Sequence, residues 1–122
     1  MAGTVTVTET TYTSVKKIKW VWTSTSGGAA DLVTTKAFDG LLERVAFIPD
    51  GGGTQPTDNY DITITDADGV DVLAGLGANL SNAATVVKTH ANGLTAVAGS
   101  TLTLNVTNAG SAKGGIVIVY LR

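Results

Sequence analysis

Thr101-Leu102-Thr103-Leu104-Asn105-Val106-Thr107 alternates polar and apolar residues without a break, and Ile116-Val117-Ile118-Val119-Tyr120-Leu121 is apolar on both faces. Successive side chains of a strand point to opposite sides, so the first run has one wet face. The second suits a central strand, or one covered by a partner. The segment Asn108–Gly115 between them reads as a turn. Together these two runs set the period of the chain at two.

The same period recurs upstream. Thr4-Val5-Thr6-Val7-Thr8 alternates strictly, and branched Thr fits the pleat of a strand. In Lys17-Ile18-Lys19-Trp20-Val21-Trp22-Thr23, Ile18, Trp20 and Trp22 share one face. Ser26-Gly27-Gly28 breaks that run, a short strand is expected around Leu32–Thr35, and Asp39-Gly40 reads as a turn. Leu41–Ile48 is a further strand stopped by Pro49, and Tyr60–Thr65 another with Tyr60, Ile62 and Ile64 inward. Asp66-Ala67-Asp68-Gly69 then predicts a hairpin turn into Val70–Leu73. Gly75–Asn82 has no clear pattern and is left as loop or a short helical turn. Ala84–His90 reads as a strand, with Asn92-Gly93 the strongest hairpin signal and Leu94–Val97 its return strand. No stretch sustains helical apolar spacing. The expectation is an all-β chain: a single-domain antiparallel β-sandwich, jelly-roll-like, of about eight or nine short strands. Residues 1–122 form that one domain, with residues 1–10 a candidate extended arm.

Composition narrows the function classes. The chain has 122 residues, no cysteine and a net charge of −2, with charged residues at 15% and hydrophobic ones at 43%. Lack of cysteine excludes disulfide scaffolds, thiolate zinc sites and cysteine nucleophiles. The slight acidity offers no broad footprint for nucleic acid. No run approaches the ~18 apolar residues of a membrane-spanning helix, and the N-terminus lacks the basic and apolar regions of a secretory signal. No membrane and no nucleic-acid partner is expected.

Chemistry-bearing residues are few. His90 is the single histidine, and no G-x-S-x-G nucleophile elbow accompanies it, so it reads as an exposed strand-end residue. Asp58, Asp61, Asp66, Asp68 and Asp71 form an acidic cluster. A calcium loop begun at Asp66 needs glycine at its sixth place and a bidentate glutamate at its twelfth, where Asp71 and Gly77 stand. Asp and Gly are equally what tight turns demand. A surface Ca²⁺ near Asp66 and Asp68 is left open, but no metal, cofactor or catalytic residue is assigned. Trp20 and Trp22 read as core, with an aromatic sugar-binding strip as the alternative. Gly51-Gly52-Gly53 lacks the Gly-Lys-Ser/Thr continuation of a phosphate loop, and Asp50–Asn59 is expected as an exposed loop. Lys16, Lys17 and Lys19 are the basic run: either a solvated strand edge or a contact for an acidic partner.

Several segments together resemble a family of small proteins encoded among the virion genes of tailed bacteriophages. They are Ile18–Ser24 with Gly27-Gly28, Ile48–Asp66, Gly69–Gly75, and the closing pair Leu102–Leu104 and Ile116–Leu121. Within that neighbourhood a small β-sandwich is similar to the decoration or cement proteins on capsid exteriors. The resemblance implies a non-enzymatic virion structural protein, made in the host bacterial cytoplasm and bound to the major capsid protein on the outside of the head. It also implies a homo-oligomer, a trimer or dimer. Docking candidates are Thr4, Val5, Thr6 and Val7 of the first strand, the basic residues Lys16, Lys17 and Lys19, and Asp50, Gly51, Gly52 and Gly53 of the loop. A tail, collar or head–tail junction component is the alternative within the virion. A carbohydrate- or receptor-binding β-module is the alternative outside it.

Overall fold

Alternation in the strand around Trp20 places three large side chains on one side of a sheet, and the rest of the chain folds to cover them. The computed structural model describes residues 4–33 and 36–122. Nine strands are found there: β1 (Thr4–Tyr12), β2 (Val15–Thr23), β3 (Ala30–Val33), β4 (Phe38–Pro49), β5 (Asp61–Thr65), β6 (Val86–Thr89), β7 (Ala96–Ser100), β8 (Thr103–Thr107) and β9 (Gly114–Leu121). The strand expected around Leu32–Thr35 is β3; Thr34 and Thr35 lie outside the described residues, as do residues 1–3 of the candidate arm. From Thr4 onward that arm is β1, paired with β2 over its full length.

The large sheet has the order β1-β2-β9-β4-β6, with β7 also on β4, and the small one the order β3-β8-β5. All pairings are antiparallel. From β2 to β5 the chain changes sheet at every strand, and it does so again from β7 through β8 to β9. That alternation, with β9 central between β2 and β4, is jelly-roll connectivity. Ile18, Trp20 and Trp22 of β2, Val117, Val119 and Leu121 of β9, and Val45 and Phe47 of β4 are buried from the large sheet. Ile62 and Ile64 of β5 and Leu104 and Val106 of β8 are buried from the small one. Each such side chain contributes roughly 1.5–3 kcal/mol on leaving water. The Trp22 and Tyr60 rings meet at 5.8 Å between centroids.

Where a jelly roll has a further strand beside β5, this chain has residues 71–80 in an irregular path. Only two bridges tie it to the strand, Thr65 to Asp71 and Tyr60 to Leu80. Between them the backbone bonds are Val72 N to Ile64 O (2.8 Å) and Ile62 N to Gly77 O (2.7 Å). The Asp66–Gly69 turn forms as expected, with Gly69 N donating to Asp66 O. Its return segment Val70–Leu73 does not become a regular strand, because the chain turns off through Ala74 at φ 52° and Gly75 at φ 83°.

The second predicted hairpin is overturned. Asn92-Gly93 does not reverse the chain. β6 and β7 both run antiparallel to β4, along successive stretches of the same edge: Thr89 opposite Arg44, then Ala96 opposite Leu41. Between them His90–Asn92 is a single 3-10 turn in which the Asn92 side chain accepts the Thr89 N–H at 2.9 Å. Gly93 leaves the turn at φ 107°, a left-handed conformation that glycine adopts without strain. The Asn side chain thus closes on its own backbone, and the strand resumes instead of folding back.

Candidate functional site

Strand register sorts the candidate docking residues to two ends of the large sheet. At one end Thr4 pairs with Thr23, Thr23 pairs with Gly114, and Asp50 N donates to Gly114 O at 3.1 Å. Thr4 and the Asp50–Gly53 loop therefore lie at the same end. At the other, Lys16 is opposite Leu121 and Lys17 opposite Tyr120. The chain does not bring the basic run to the glycine loop.

The loop is exposed yet held. A 3-10 turn spans Gly52–Thr54. Lys113 Nζ donates to Gly53 O (3.1 Å), Thr57 N to Ala109 O (2.9 Å), and Gln55 Nε2 to Asn82 O (2.8 Å). Asn82 Nδ2 returns a bond to Pro56 O at 3.1 Å, and Asn82 N donates to Asp58 Oδ1 at 3.2 Å. A side chain added at Gly51, Gly52 or Gly53 would meet nothing within 4 Å, so this backbone projects into open space. Buried Ser24 ties the neighbouring 108–113 segment to β2. Its hydroxyl donates to Gly110 O (2.6 Å) and accepts from Lys113 N (2.9 Å). Sequence reading did not single out Ser24, since one serine after a strand carries no pattern.

Alternation divides the other candidates. Val5 and Val7 turn inward against the core, opposite Trp22 and Trp20, while Thr4 and Thr6 are exposed on the outer face. Lys16 shares the inward parity of Ile18 and bends round to donate to Asp39 O. Lys17 and Lys19 face outward. Lys17 Nζ lies 5.9 Å and Arg44 Cζ 4.3 Å from the Tyr120 ring centroid, a cation–π cluster. The strand-edge reading of these lysines is corrected: β2 lies between β1 and β9, so their setting is a sheet face.

The acidic residues serve the backbone. Asp66 Oδ1 accepts from Asp68 N (2.9 Å) and Val70 N (3.0 Å). Asp71 accepts from Ile64, Leu73 and Gly75 N–H groups. Asp61 takes Asn79 N at 2.9 Å and Asn108 Nδ2 at 2.6 Å. Among the described residues no three His, Cys, Asp or Glu side chains gather as a metal-binding group, and no pocket opens. His90 is exposed, with Nδ1 3.1 Å from Leu94 O. Trp20 and Trp22 are 0% and 1% exposed, which leaves no indole face for stacking on a sugar. Their Nε1 groups make no hydrogen bond among the described residues.

No protein-family model, curated protein or solved structure matches the chain.

Proposed function

We propose that this chain is a non-enzymatic structural protein of a tailed-bacteriophage virion, a decoration protein that docks on the outer capsid surface and stabilises the mature head. The sequence resemblance supports the setting. The observation that carries the docking role is the loop Asp50–Asn59, which projects from the sandwich with open space around Gly51–Gly53 and is lashed at its base by Lys113, Gln55 and Asn82. A loop ordered before contact loses little conformational entropy on binding, so more of its contact energy appears as affinity. Thr4 at the same end widens that surface. Stabilisation is by mass action: a clamp that binds the assembled shell and not the free subunits draws the equilibrium away from disassembly.

Electron cryomicroscopy of particles of the encoding phage tests the proposal. Density for this sandwich repeating over the outer lattice, with its loop end toward the shell, is the expected result. Copies confined to the neck or tail would transfer the role there. Absence from the particle would refute both.

A further inference from the structure

The outer face of the large sheet is unusual for a side that meets water. In antiparallel sheets such a face commonly reads as polar. Here three rows run across β2, β9 and β4: Val21, Ile116 and Ile48; then Lys19, Ile118 and Ala46; then Lys17, Tyr120 and Arg44. Val21 is 45% exposed, and Val87 of β6, opposite Ala46, is 48% exposed. Beyond the first row lies Asp50. A Cβ at Gly114 would point outward and meet its carboxylate Oδ2 at 2.5 Å, so that carboxylate lies over the face. An acid thus stands at one end, a guanidinium six residues away along the same stretch of chain at the other, with two rows between them that are apolar except for Lys19.

We infer that this face binds a second copy of the chain, about a two-fold axis that lies between the two sheets and crosses the strands at right angles near Phe47 and Val117. Such an axis keeps each strand over its own counterpart and reverses its direction. Asp50 then lies over Arg44 of the other copy, and Arg44 over its Asp50. Ile48 meets the small Ala46, Ile116 meets Ile118, and the Asp50 carboxylate that covers Gly114 comes against Arg44 beside the Tyr120 ring. The stem of Lys19 covers Val21. Apolar residues fall on apolar ones and opposite charges on each other, which is the self-complementarity an isologous contact requires. With strands ~4.8 Å apart and ~3.3 Å per residue, five strands over this length give a footprint of roughly 500 Å² per copy. Two such faces bury about 1,000 Å², the lower bound for a specific interface and the size of a weak, reversible contact. The inference goes beyond the capsid reading and does not depend on it.

Sedimentation velocity on the purified full chain, from about 1 μM to a few hundred μM, decides it. A reversible monomer–dimer equilibrium is expected, weakened about tenfold or more by Ile118→Lys, by Arg44→Asp and by Asp50→Arg. Circular dichroism confirms that each variant is folded. Mixing the Arg44→Asp chain with the Asp50→Arg chain restores both opposite-charge contacts, so a heterodimer tighter than either homodimer is expected. A monomer at every concentration, a trimer, a dimer indifferent to Ile118→Lys, or a mixture no tighter than its components would overturn the inference. None of these outcomes bears on whether the chain is found on a capsid.

Discussion

The carboxylate of Asp71 accepts the backbone N–H of Ile64 at 3.1 Å, taking the place of a ladder carbonyl on the open side of β5. The same side chain accepts from Leu73 N and Gly75 N, both at 3.0 Å. One residue thereby holds an irregular segment against the small sheet. Asp71→Ala leaves three N–H groups without that acceptor and is expected to cost about 3 kcal/mol, with Asp71→Asn, which keeps one oxygen, costing less. At about 3–6 °C per kcal/mol for a chain of this size, thermal unfolding of the alanine variant should fall by roughly 10 °C or more. A loss below about 1 kcal/mol would show that the segment holds without it.

Gly77 approaches the same edge of β5. A Cβ there would run into the carbonyl oxygen of Ile62, beside the bond from Ile62 N to Gly77 O. Gly77→Ala must displace backbone, and a loss of about 2–4 kcal/mol in denaturant unfolding is expected. Gly69→Ala, where a Cβ meets nothing but φ is +80°, should cost only about 1 kcal/mol.

Tyr60 is 1% exposed, and burial pushes its pKa from 10.0 up to about 12. The unfolded chain releases this proton near pH 10 and the folded chain retains it to about pH 12. Stability is therefore unaffected by Tyr60 below pH 10. It falls as pH rises from 10 to 12, by up to about 1.4 kcal/mol per unit. Urea midpoints measured across this range should decline less steeply for Tyr60→Phe; equal slopes would remove Tyr60 as a cause.

Lys113 Nζ reaches Gly53 O at 3.1 Å, so Lys113→Met should loosen the projecting loop while retaining much of the aliphatic stem. Amide exchange of residues 51–54 should rise while that of the core strands is unchanged. Under the capsid reading, affinity for the shell falls by about tenfold, the entropy of a loop that must be ordered on binding. Unchanged affinity would remove this loop from the docking surface.

Strand positions were legible because alternation is a local property. Ile18, Trp20 and Trp22, and Leu102, Leu104 and Val106, were placed inward by period alone. Failures fell where side chains bond the backbone. Asn92 caps its own turn rather than closing a hairpin, and Asp71 replaces a strand carbonyl. Both residue types also suit ordinary turns, so composition cannot separate the two uses.

The docking candidates show the same division. Alternating Thr and Val, a glycine-rich loop and a basic run are visible in the chain, as is the double-sided apolar character of Ile116–Leu121. These follow from residue order alone, because a strand needs only its own side chains to declare its faces. That Thr4 and Asp50 share one end, that Lys17 joins Arg44 around Tyr120, and that Asp50 lies over Gly114 were decided by register between strands far apart in sequence. Register depends on how distant inward faces fit together in one core, and no local pattern contains that fit.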